Sequence, residues 1–348
     1  MSRMSRNIIV AVIIIIVLVL IMVYSNFKSN LLRQLQGPIE GTDSVMTVDN
    51  RLSVVSKNNH VYTWQWNDLS IWPVVARLQA QAVMPIASEK IVYIPSADYS
   101  GLIMTDLKGQ KEIARLQQSY GVECKKIKTS QNDKFGVVSM FFKEGMQKGW
   151  FKLAVFDSEL KGLSFPFQKD TDAEDFLLYD FTITNDGKFL AGAGEEGRAW
   201  IFVTDVKNEN LLWEKVFSEY GRFTCVKFSP DGKTLFVSEK VRFIISFDSA
   251  TGQTIRVFEM PLYNTPAHQK QNICCIAISP DGKILAADTE PARTVWFWDI
   301  ASGREIGKIY ASDLTVADIA FSPDSKYLAT GCMVSPEIKI WKVPQPKP

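Results

Sequence analysis

Histidine is nearly absent from this chain: its 348 residues include two, His60 and His268. Imidazole is the commonest metal ligand and the usual general base near neutral pH, so a catalytic metal centre or a Ser-His-Asp set has little to be built from. No Gly-x-Ser-x-Gly elbow and no Gly-rich phosphate loop occurs. No catalytic, cofactor-binding or metal-ligating residue is therefore assigned, no cofactor is expected, and the chain is not read as an enzyme. Cysteine is scarce and odd in number, at 124, 225, 274, 275 and 332, with no Cys-x-x-Cys spacing. That pattern argues against a disulfide framework and a zinc site. An excess of either charge is also missing: 39 Lys and Arg stand against 38 Asp and Glu. Without a basic field, nucleic acid is not an expected partner. Asn-x-Ser/Thr sequons are absent, which favours a bacterial source.

What the chain has in quantity is a repeat. Ser229-Pro230-Asp231-Gly232 returns as Ser279-Pro280-Asp281-Gly282 and as Ser322-Pro323-Asp324-Ser325, each between short runs rich in Val, Ile and Phe. Proline presets φ and glycine tolerates positive φ, so the chain reverses at each copy and the flanking runs form antiparallel strands. Third strands follow, and their closing acids fall at Asp68, Asp106, Asp157, Asp205, Asp248 and Asp299, with Lys342 in the seventh place. Fourth strands begin after turns such as Ser249-Ala250-Thr251-Gly252 and Ile300-Ala301-Ser302-Gly303. Units of four antiparallel strands repeated every few dozen residues specify a propeller, here with seven blades over 44–343.

Phe228-Ser229-Pro230-Asp231-Gly232 and Trp298-Asp299-Ile300-Ala301-Ser302-Gly303-Arg304-Glu305-Ile306 resemble the WD40 repeat family, most strongly over 221–343. The chain departs from the family pattern in having no Gly-His pair, which moves it toward the looser WD40-like and YVTN-like propellers. The resemblance implies a ring closed by a shared blade. After Ile338–Val343 the sequence runs into Pro-rich 344–348, so the outer strand of blade 7 must come from elsewhere, and 31–35 within the linker 25–43 is the β-capable candidate. The expected fold is all-β, a seven-bladed β-propeller preceded by one transmembrane α-helix.

That helix is expected over 8–24, a run of apolar residues that includes Ile8, Ile13, Val17, Ile21 and Tyr24. As a helix it spans about 25 Å at roughly 1.5 Å per residue, just enough for a bilayer with slight thinning. It is longer than a signal peptide core needs and no Ala-x-Ala follows, so it reads as an uncleaved signal anchor. Residues 1–7 would be a short cytoplasmic tail. The propeller would then be periplasmic at a bacterial inner membrane, or lumenal or extracellular in a eukaryote.

Two surfaces are candidates for function. The first is a long connection between the second and third strands of blade 3, Phe141 to Phe151, with Phe142 and Trp150, joined by Tyr263 and His268 from the connection between blades 5 and 6. Exposed aromatics anchor interfaces, and these mark a protein partner on the face away from the membrane. The second is the central channel. Lys126, Asp180 and Asp318 stand where Cys225 and Cys275 stand in their own blades, with Lys126 and Asp180 placed to pair. A protein-interaction scaffold is the first reading. A small-ligand or enzymatic propeller, quinoprotein-like or lactonase-like, is the alternative. The oligomeric state is not indicated.

Overall fold

The computed structural model describes residues 31–36, 41–69, 73–86, 89–95, 101–117, 122–144, 148–161, 163–172, 176–260, 272–290, 293–311 and 315–345. The expected anchor over 8–24, with Ile8, Ile13, Val17, Ile21 and Tyr24, lies outside them, as do Tyr263 and His268. Among the described residues no helix is long and apolar enough to cross a membrane. The described elements are strands, arranged in seven four-stranded antiparallel sheets. Lettering the strands of each blade a to d from the hub outward, blade 1 comprises Thr42–Val48, Arg51–Ser56, His60–Gln65 and Val74–Arg77. Blade 2 comprises Ala80–Ile86, Lys90–Pro95, Gly101–Asp106 and Glu112–Gln117, and blade 3 Val122–Thr129, Phe135–Glu144, Lys148–Asp157 and Ser164–Asp172. Blade 4 holds Phe176–Ile183, Phe189–Glu196, Ala199–Asp205 and Asn210–Phe217; blade 5 holds Phe223–Phe228, Thr234–Glu239, Phe243–Asp248 and Thr254–Glu259. Blade 6 holds Asn272–Ile278, Ile284–Glu290, Thr294–Asp299 and Glu305–Tyr310. Strands a to c of blade 7 are Val316–Phe321, Tyr327–Cys332 and Glu337–Lys342.

The outer strand of blade 7 is Leu31–Gln36. It runs antiparallel to strand c, with Leu31 opposite Trp341 and Gln36 opposite Glu337. Leu35 is the buried residue of this strand and packs with Val45, Ile338 and Ile340, so apolar burial as well as ladder hydrogen bonds holds the two ends of the ring together.

The repeated turns share one geometry. In blade 5 the amide of Gly232 donates to the Ser229 carbonyl at 2.9 Å, and the Ser229 hydroxyl donates to Asp231 Oδ1 at 2.6 Å. The same Oδ1 accepts the Lys233 amide at 3.1 Å. Each residue of the motif thus caps a backbone group that the reversal would leave bare. The position that needs positive φ carries Gly187, Gly232 and Gly282 in blades 4 to 6, Asp133 in blade 3 and Ser325 in blade 7, whereas blade 1 reverses in two residues between Val48 and Arg51 with Asp49 at positive φ.

Apolar clusters fill the spaces between consecutive blades rather than a single centre. One joins blades 2 and 3 through Ile86, Met104, Val138 and Phe156, and another joins blades 3 and 4 through Phe167, Phe181, Trp200 and Phe202. In all seven blades strand a breaks register near its start, between Cys124 and Lys126, between Leu178 and Asp180, between Phe223 and Cys225, and likewise elsewhere. A bulge twists its strand and re-aims the side chains after it, which here turns them toward the hub.

Candidate functional site

The channel along the propeller axis has a volume of about 1020 Å³ and is walled by the seven a strands. Lys126, Asp180 and Asp318 all line it, each immediately after a bulge. Asp180 is buried and Asp318 half-buried, and both bind blades together. Asp180 Oδ2 accepts the Val226 amide of blade 5 at 3.0 Å, and Asp318 Oδ2 accepts the Val45 amide of blade 1 at 3.1 Å. Blade 5 makes the same step with a thiol, Cys225 Sγ donating to the Cys274 carbonyl of blade 6 at 2.9 Å.

The expected pairing of Lys126 with Asp180 is present but secondary. Lys126 Nζ stands 3.9 Å from Asp180 Oδ1 and donates to the Tyr179 carbonyl at 3.1 Å. The direct partner of Asp180 is Lys128, two residues on and on the same face of the strand. Burial works against both charges of this pair. Lys128, Lys126 and Lys227 nevertheless hold the Asp180 carboxyl below its usual range, and Asp180 holds Lys128 above its own. Lys126 goes the other way, lowered by burial and by the neighbouring Lys128. Burial also raises Asp318, which Lys227 only partly offsets.

Sequence reasoning missed Lys128 and Lys227, which line the same channel. The signal was available, because both lie two residues beyond an assigned channel position in an alternating strand. It also missed Asp288, whose carboxyl oxygens are buried without a hydrogen-bond partner. Only the register could have found it. Asp288 occupies the strand b position facing the bulge of its blade, where Ser139 and Ser238 accept the bulge amides of Lys126 and Cys225. Burial and then Glu290 push the Asp288 carboxyl well above its usual range.

At the end of the channel where the ab turns gather, the turns are tied to one another. Asn132 Nδ2 donates to the Asn185 carbonyl and Asn185 Nδ2 to the Pro230 carbonyl, at 2.8 and 2.9 Å. Gln131 Nε2 of blade 3 reaches the Ile278 carbonyl of blade 6 at 3.1 Å, bridging this mouth. Among the described residues, no group of three His, Cys, Asp or Glu is placed to hold a metal ion.

The connection expected over Phe141 to Phe151 is mostly strand. Strands b and c of blade 3 are ten residues each and d is nine, so a three-stranded extension rises beyond the six- and seven-residue strands of blades 5 to 7 on the face opposite the ab turns. Phe141 faces Phe151 and Phe142 faces Trp150 across the hairpin, and Trp150 in turn faces Asp170 of strand d. Lys143, Glu144, Lys148 and Gly149 interrupt the apolar pattern of the sequence but stand within the ladder. Trp150 is 39% exposed.

The model for the WD domain, G-beta repeat, matches residues 259–299 and 303–342, each running from the outer strand of one blade through strand c of the next. Over those residues the chain carries WD40 repeats, set in a seven-bladed β-propeller. The β-propeller domain of Cps50 (Swd1) from Myceliophteria thermophila superposes with a TM-score of 0.65 at 13% identity, covering 90% of this chain and 99% of that one. The likeness is one of fold. Among curated relatives, the Periodic tryptophan protein 2 homolog of Dictyostelium discoideum is 26% identical over 162 residues, 45% of this chain and 16% of that protein. The Target of rapamycin complex subunit LST8 of Mus musculus is 27% identical over 167 residues, 45% of this chain and 47% of its own length. An uncharacterised WD repeat-containing protein of Synechocystis matches at 25% over 157 residues, 42% of its length. The chain thus spans less than half of the curated relatives it matches.

Proposed function

We propose that this chain is a membrane-anchored scaffold that docks a protein partner on the face carrying the blade 3 extension. The observation that carries the reading is the extension itself. A three-stranded platform longer than its neighbours presents a partly exposed tryptophan, and tryptophan in such a setting is a preferred interface anchor. LST8 is by its name a subunit of a complex, which agrees in kind. The bridging of the opposite mouth and the hydrogen-bonded use of Asp180 and Asp318 in joining blades support a scaffold over an enzyme.

The anchor rests on the apolar run 8–24. Its amino terminus would lie inside and the propeller in the periplasm of a bacterial inner membrane, or in a lumen or outside the cell in a eukaryote. Six residues separate Tyr24 from Leu31, about 20 Å at full extension. Leu31 pairs with Trp341 at the end of blade 7 that also holds the Ser322–Ser325 turn, so the ab face would stand next to the bilayer and the blade 3 extension would point away.

Affinity capture from native membranes tests the docking surface. Trp150→Ala together with Tyr263→Ala should release the partner while leaving the melting temperature within a few degrees of the parent. Retention of every captured protein by the double variant would end this reading.

A further inference from the structure

Blade 3 places a carboxylate where its neighbours have none. In blades 4 to 7 the third residue of the ab turn is Asp186, Asp231, Asp281 or Asp324, and it accepts both the hydroxyl of the first residue and the amide that follows the turn. In blade 3 Asn132 fills that place: its Oδ1 accepts the Ser130 hydroxyl at 2.8 Å and the Lys134 amide at 3.4 Å. The next residue is Gly187, Gly232 or Gly282 in blades 4 to 6, and Asp133 in blade 3. The turn is therefore capped without Asp133, whose carboxyl is an addition that the reversal does not use. Asp133 lines the channel and is 2% exposed. Its Oδ1 takes the Thr129 hydroxyl at 3.3 Å, while Oδ2 is buried with no hydrogen-bond partner. A buried oxygen left bare is unfavourable, and nothing in the turn requires it.

Asp49, on the two-residue turn of blade 1, lines the same end of the channel. Burial and then the charge of Asp49 push the Asp133 carboxyl well above its usual range, and the Asp49 amide and Thr129 offset this only in part. Over the whole lining five aspartates face five lysines, so the imbalance is local. Lys128 pairs with Asp180, Lys126 stands beside the same carboxyl, and Lys227 acts on Asp180 and Asp318. Lys57 and Lys134 are exposed. We propose that Asp49 and Asp133 bind a hard divalent cation, calcium, at the ab end of the channel, joining the turns of blades 1 and 3. Among the described residues no third acid joins them, so neutral turn oxygens and water complete the shell. Carboxylate ligands suit calcium or magnesium better than zinc. Turns from two non-adjacent blades do not impose the regular octahedron that magnesium demands, which favours calcium. The inference goes beyond the scaffold reading and does not depend on it.

The test is calorimetric titration of the full chain in detergent, stripped of metal with a chelator, using calcium chloride and separately magnesium chloride at fixed ionic strength. Saturable calcium binding is expected with a Kd of about 1 mM or tighter, the range of weak extracellular calcium modules, and magnesium should bind more weakly. Asp49→Asn combined with Asp133→Asn should weaken calcium binding by at least about tenfold, because affinity follows the number of charged ligands. Asparagine accepts positive φ as aspartate does, so both turns should persist. Asp43→Asn, at the opposite end of the same channel, should leave the affinity unchanged. Saturating calcium should raise the melting temperature of the parent and not that of the double variant. Absence of saturable calcium binding overturns the proposal, and so does equal affinity in parent and double variant. Tighter binding of magnesium overturns the choice of metal, and loss of binding in Asp43→Asn overturns its place at the ab end. If the double variant fails to fold, Asp49→Asn alone, at an exposed position, decides: unchanged calcium affinity there overturns the assignment.

Discussion

Asp180 shows how one side chain serves two blades. Its carboxylate accepts one hydrogen bond from Lys128 and another from the Val226 amide, so deleting it strands an ammonium and a buried N–H at once. Asp180→Ala should cost about 3–5 kcal/mol, measured by chemical denaturation at neutral pH. Because its folded pKa is depressed, the contribution is present above the unfolded carboxylate pKa and disappears as pH falls through the folded one. A loss under 1 kcal/mol would mean the pair is not a tie between blades. Asp288 is the opposite case. Its raised folded pKa means that any stability it contributes is present at low pH and lost as pH rises through that value. Asp288→Ser, which installs the residue found at Ser139 and Ser238, should therefore stabilise the fold by about 1–3 kcal/mol. The gain should be larger at pH 8 than at pH 5, and a variant less stable than the parent at both pH values would refute the assignment. Neither role was visible in the sequence in full. Asp180 could be placed at the hub by alignment to Cys225, but its partners depend on bulges that shift register by one residue and have no sequence signature of their own.

At the scale of the element, legibility followed turn chemistry. Ser-Pro-Asp-Gly names its own conformation, so blades 5 to 7 could be read strand by strand, and Asp248 and Asp299 end their c strands as the spacing required. Blades 1 and 2 lack that signature: blade 1 reverses in two residues with Asp49 at positive φ, and Glu89 takes positive φ just before strand b of blade 2. Only spacing pointed to them. The blade 3 hairpin was read as loop because glycines and charges interrupted its apolar pattern, while pairing is decided across the ladder, Phe141 with Phe151 and Phe142 with Trp150. The closing strand Leu31–Gln36 is an element whose place follows from a lack elsewhere. Since Leu35 is its buried residue, Leu35→Asp should detach it from strand c of blade 7. Hydrogen exchange at the Glu337–Lys342 amides that pair with it should accelerate by more than tenfold, roughly 1.4 kcal/mol or more of lost protection, with blade 4 amides unaffected. Equal protection in parent and variant would show that the strand does not hold the ring shut.

Across the whole molecule, closure and orientation become the same question. The strand that seals blade 7 is the first described element, and its leading residue, Leu31, lies at the ab end of the ring. An anchor at 8–24 would therefore leave the propeller little freedom, because the tether of six residues reaches only about 20 Å. The ab turns, with Lys233 after the blade 5 reversal, would face the headgroups, while the blade 3 extension would stand at the far side. Single thiol labels distinguish the faces: an environment-sensitive dye on Lys233→Cys and, separately, on Trp150→Cys, in the full chain reconstituted in vesicles carrying a headgroup quencher. Quenching should be several-fold stronger at 233 than at 150, and a soluble quencher should reverse the ranking. Equal quenching at both positions would mean that the ring tumbles on its tether, and stronger headgroup quenching at 150 would place the wrong face against the membrane. Either result removes the directional part of the model, since a scaffold can recruit a partner from solution only if the surface that holds it is turned away from the bilayer.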